Sequence, residues 1–79
     1  MRSPVMDRAL ILRHLAEAED HVAEGQTRLN RQREIVAELE RDGHDSAMAR
    51  ELLRQFESVQ AMHIAGLARV TRELAETPS

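Results

Sequence analysis

Cysteine, tryptophan, tyrosine and lysine are all absent from this 79-residue chain, and phenylalanine occurs once, at Phe56. Without cysteine there is no disulfide, no thiolate nucleophile and no Cys-based zinc or iron–sulfur site. The near-absence of aromatic rings argues against base-stacking surfaces and against a conventional globular core. With every basic residue an arginine and a formal charge of −3 spread over both halves, no polybasic tail or acidic block nominates nucleic acid or a membrane as partner. No apolar run approaches the roughly 18–20 residues that span a bilayer. The opening Met1-Arg2-Ser3-Pro4-Val5-Met6-Asp7 reaches Asp7 and Arg8 before the apolar core of a signal peptide can form, so the expected compartment is the cytoplasm.

What the chain does have is helical periodicity, broken once. In Arg41-Asp42-Gly43-His44-Asp45-Ser46 the pattern stops and restarts. Gly43 can take the left-handed conformation that closes a helix, and Asp45 can accept a hydrogen bond from the first turn of the next. A stop followed so closely by a start leaves a tight reversal at Gly43, His44 and Asp45, with antiparallel helices on either side. The expected fold is all-α: a single helical-hairpin domain over 1–79, coiled-coil-like, with helix 1 over about 4–42, the turn over 43–45 and helix 2 over about 46–76.

Ser3 is the expected N-cap of helix 1, Pro4 its first residue, and Asp7 complements the dipole of the first turn. From Ile11 to Leu39 the residues Ile11, Leu15, Ala18, Val22, Gly25, Leu29, Gln32, Val36 and Leu39 alternate at steps of four and three, an a/d seam sustained over four heptads. The seam of helix 2 reads Ala49, Leu53, Phe56, Gln60, His63, Leu67, Val70 and Leu74. A second apolar line, Met48, Leu52, Val59, Met62 and Gly66, runs beside it, so the apolar arc is wider than a two-stranded seam requires. Folding about Gly43-His44 places Leu39 opposite Ala49, Gln32 opposite Phe56 and Gly25 opposite His63.

One seam is thin support for so small a domain. Burial at about 25 cal/mol per Å² must offset about 1.5 kcal/mol of ordering entropy per residue, which a lone hairpin without disulfide or metal does not manage. The spare line Met48, Leu52, Val59 and Met62 is what a second hairpin covers, and the expectation is a homodimer forming an antiparallel four-helix bundle, helix 2 nearer the dimer axis. Another helical protein is a further partner class.

Three polar groupings bear on function. His14, Glu17, His21 and Glu24 share one side of helix 1, which is ligand spacing for zinc or another divalent metal. The di-iron carboxylate pattern needs Glu-x-x-His on two helices, and no Glu precedes a His by three positions, so a solvated ridge is the plainer reading and no metal or cofactor is expected. A small metal-responsive bundle using His14, Glu17 and His21, with His63, is the alternative. His63, Gln32 and Gln60 sit in the seam, where polar residues more often set register than perform chemistry; a pH switch at His63 is the functional reading. Arg28 and Arg31 share a face while Arg33 points away; weak nucleic-acid association is their functional reading and a salt-bridged surface the plainer one. No catalytic arrangement is present: no serine has a preorganised His–Asp neighbour, and the glycines, at 25, 43 and 66, form no phosphate loop.

The runs His14-Leu15-Ala16-Glu17-Ala18-Glu19-Asp20-His21-Val22-Ala23-Glu24-Gly25 and Arg31-Gln32-Arg33-Glu34-Ile35-Val36-Ala37-Glu38-Leu39-Glu40-Arg41-Asp42-Gly43-His44-Asp45 resemble a group of short, uncharacterised proteobacterial helical-hairpin proteins, as do Ala49-Arg50-Glu51-Leu52-Leu53 and Phe56-Glu57-Ser58-Val59-Gln60. The resemblance covers most of the chain, and its most specific part is the Asp-Gly-His-Asp turn. It implies a bacterial cytosolic setting and brings no activity, cofactor or catalytic residue with it.

Overall fold

A computed structural model describes residues 4–77, with side-chain environments from Arg8 onward. The expected cap at Ser3, the side chain of Asp7 and the last two residues lie outside the described residues. Two helices, α1 (Pro4–Arg41) and α2 (Ala47–Glu76), fold back along each other as a hairpin. The chain forms a rod of 62 × 16 × 14 Å with a radius of gyration of 18.0 Å, where a compact domain of this length has about 12 Å. Neither helix is long and apolar enough to cross a membrane.

The reversal is built as its residue types demand. Gly43 has φ +76°, the left-handed conformation, and α1 closes in two bonds: the Gly43 N–H donates to Glu40 O at 3.2 Å and the His44 N–H to Leu39 O at 2.8 Å. This nested pair satisfies carbonyls that the end of a helix otherwise leaves open. Helix α2 then starts at Ala47, a residue later than the periodicity suggested. Ser46 holds the N-cap position but makes no side-chain cap bond there; the Ala47 N–H donates instead to Asp45 Oδ1 at 2.9 Å. The Ser46 hydroxyl bonds Glu40 and receives the Arg50 guanidinium, and Arg50 pairs with Glu40, tying the two helix ends together on one flank.

The interface follows the two seams. Gly25, Leu29, Gln32 and Val36 of α1 and Gln60 of α2 are buried, and the remaining seam positions are half-buried. Among the described residues, Leu29 at 4% and Val36 at 9% exposure are the only buried hydrophobics, and the other large buried side chains are two glutamines. The pairing across the seam departs from the simple fold-over. The group packed on Gly25 is the carboxamide of Gln60, with His63 one turn farther along α2. Gln32, expected to face Phe56, donates its amide to Ala49 O at 2.9 Å, although its flank does border a groove with Phe56. Both departures follow from register: Gln60 beside Gly25 and the ring of His21 beside that of His63 set α2 about one helical turn off the count from Gly43-His44, and the glycine leaves room for the carboxamide.

Candidate self-association face

The hairpin has two unlike flanks. On one, charges bridge the helices: Arg33 to Glu57 at 3.9 Å, and Arg50 to Glu40. On the other, grooves open along the described residues. Nearest the turn, a groove of about 540 Å³ is lined by Gln32, Ile35, Met48, Ala49, Glu51, Leu52 and Gln55. Next come grooves of about 400 Å³, bordered by Glu24, Thr27, Arg28, Arg31, Gln32 and Phe56, and of about 310 Å³, bordered by Gly25, Arg28, Phe56, Val59, Gln60 and His63. Farthest from the turn lies one of about 190 Å³ between His14, Glu17, Ala18 and His21 of α1 and Gly66, Arg69 and Val70 of α2.

Heptad spacing explains why these align. His14, His21, Arg28 and Ile35 recur every seven residues, as do Glu17, Glu24 and Arg31; on α2 so do Met48, Gln55, Met62 and Arg69, and likewise Leu52, Val59 and Gly66. Residues seven apart in a helix lie nearly above one another, so each series forms a line along one flank. One face therefore carries three of the groupings that the sequence singled out: the apolar line of α2, the histidine–glutamate ridge and the Arg28–Arg31 pair.

The apolar line is open to solvent in the single chain. Met48 is 88% exposed, Met62 71%, Val59 45% and Leu52 40%. A line of large apolar side chains along one flank is more than the scattered exposure that folded surfaces normally show. The molecule as a whole exposes 6009 Å². A compact monomer of 9.0 kDa exposes about 4,900 Å².

The Gln60 amide donates to Val22 O at 2.8 Å, and since a carbonyl only accepts, its Oε1 is left facing His63 Nδ1 at 3.4 Å. That contact requires Nδ1 to carry the proton, which leaves the lone pair of neutral His63 on Nε2. The rings of His63 and His21 lie 5.5 Å apart, tilted by 32°. His14, Glu17 and His21 border one groove, yet among the described residues no three ligating side chains converge on a point that a metal ion can occupy. Among the described residues, no buried side-chain polar atom lacks a hydrogen-bond partner. Arg31 bonds Glu34 at 3.4 Å, both side chains well exposed, while Arg28 lies along the two central grooves. His44 contributes its backbone N–H to the turn, and its side chain is exposed.

Ile35 and Gln55 belong to this face and were not singled out from the sequence. The signal was there in the heptad: Ile35 follows Arg28 by seven, and Gln55 stands midway between Met48 and Met62. Compared with known protein families, curated proteins and solved structures, the chain matches none.

Proposed function

We propose that the chain is a non-enzymatic helical assembly module that associates with itself, two hairpins packing their grooved faces together as an antiparallel four-helix bundle. The observation that carries this reading is the apolar line Met48, Leu52, Val59 and Met62, uncovered on a hairpin whose own seam buries so little. Covering that line in a second copy removes it from water at about 25 cal/mol per Å², which a protein with two buried hydrophobics among its described residues needs for a stable fold. The methionines suit such a contact because unbranched thioether side chains adapt to irregular gaps. The outer, charged flanks of the bundle remain available to another helical protein, and the resemblance carried by the Asp-Gly-His-Asp turn favours a bacterial cytosol as the setting.

The test is the double substitution Leu52→Glu with Met62→Glu in the full chain. The expected outcome is a monomer with most of its helical circular dichroism lost. A folded, stable monomer overturns the reading.

A further inference from the structure

The two glycines inside the helices are not equivalent. At Gly25 the space of the missing side chain is occupied by Gln60, so the hairpin itself accounts for that residue. Gly66 is half-buried within α2, and the nearest atom to a Cβ placed there is a guanidinium nitrogen of Arg69 at 4.0 Å. Glycine is the poorest helix former after proline, and nothing in the hairpin approaches Gly66 closely enough to need it.

Gly66 extends the exposed line of α2, following Val59 by seven residues and Met62 by four. In an antiparallel helix pair the residues of one core row pack against the other core row of the facing helix, and flanking residues meet their own row. Here the rows are Met48, Gln55, Met62 and Leu52, Val59, Gly66. One register uses every member: Leu52 against the partner's Met62, Val59 against the partner's Gln55, and Met48 against the partner's Gly66. The most exposed side chain then enters the position that has none. The two-fold axis crosses α2 level with Glu57, half-way between Leu52 and Met62.

Charges on α1 are self-complementary about the same axis. Gly25 lies against Gln60, and His21 beside His63. At that level Glu57 is across from the turn holding Thr27 and Arg28. A two-fold axis there sets Glu24 opposite the partner's Arg31, and by symmetry Arg31 opposite the partner's Glu24. Glu24 and Arg31 border one open groove on the grooved face. Arg28 meets its own copy near the axis, with Glu24 one turn before it to offset the like charge.

Resting on the assembly reading above, we infer that the occupant of this face is a second copy bound α2 on α2 and antiparallel, with Met48 seated at Gly66 and Glu24 paired to Arg31 around an axis level with Glu57. The test is sedimentation equilibrium on full-length Glu24→Arg, Arg31→Glu, the double reversal, and Gly66→Leu. Each single reversal turns two symmetry-related attractions into repulsions and weakens the dimer about tenfold at low salt. The double reversal restores it. Gly66→Leu blocks the seat of Met48 and yields monomer. A wild-type dimer indifferent to the single reversals, or not rescued by the double one, overturns this geometry while leaving self-association standing. A wild-type monomer overturns self-association itself, and a different protein found on this face in its place does the same.

Discussion

The carboxamide of Gln60 occupies the volume that a side chain at Gly25 would fill, held there by its bond to Val22 O. Among the described residues, this is the one place where a side chain of α2 reaches the backbone of α1 through a gap left by a glycine. Because the Val22 carbonyl orients the amide, the same contact sets which nitrogen of His63 bears a proton. One glycine thus positions a glutamine, and the glutamine orients a histidine.

The pair is expected to be strongly coupled. Gly25→Ala gains about 1 kcal/mol of helix propensity but drives a buried carboxamide off its carbonyl, at about 1–3 kcal/mol. In Gln60→Ala the obstruction is already gone, so the same Gly25→Ala change is stabilising there. A double-mutant cycle by chemical denaturation is expected to return an interaction of more than about 1 kcal/mol. Additive effects would show that the contact carries no energy.

Gly43 is needed for a different reason. With φ at +76°, a residue bearing a Cβ pays a steric cost, so Gly43→Ala destabilises by about 1–2 kcal/mol although a Cβ there touches nothing. Gly43→Asn is expected to cost less, since asparagine tolerates this region. Thermal melts of the two variants check the order; equal melting temperatures would count against a conformational cause.

Much of this was legible in the sequence, because it is local. Helix α1 ends within a residue of the expected place since Gly43 closes it, and α2 starts near Asp45 since that carboxylate takes the Ala47 N–H. The seam residues are those less exposed than their neighbours because 3.5-residue periodicity and burial are the same fact. What was not legible is which residue faces which. Counting back from the turn put His63 over Gly25, but the two helices sit about one helical turn away from that count, as Gln60 at Gly25 and His21 beside His63 show. The convergence of the apolar line, the histidine ridge and the arginines on one flank was likewise hidden, since a single helix does not say which side of it the neighbour takes.

The buried glutamines are expected to serve specificity more than stability. Replacing Gln32 and Gln60 together by leucine exchanges two buried amides for apolar groups of similar length, a change that is often neutral or stabilising. The expected result is a melting temperature equal to or above wild type, with a broader distribution of masses as register and partner number relax. Size-exclusion chromatography with light scattering reads both. A single sharp species of unchanged mass would remove the register role.

One hairpin alone is not expected to sustain a stable fold. Sedimentation equilibrium of the wild-type chain at micromolar concentration is expected to give twice the 9.0 kDa mass of the chain, falling toward one chain only where helical signal is also lost on dilution. A species of one-chain mass that keeps full helicity, with Met48 and Met62 remaining in water, would contradict it.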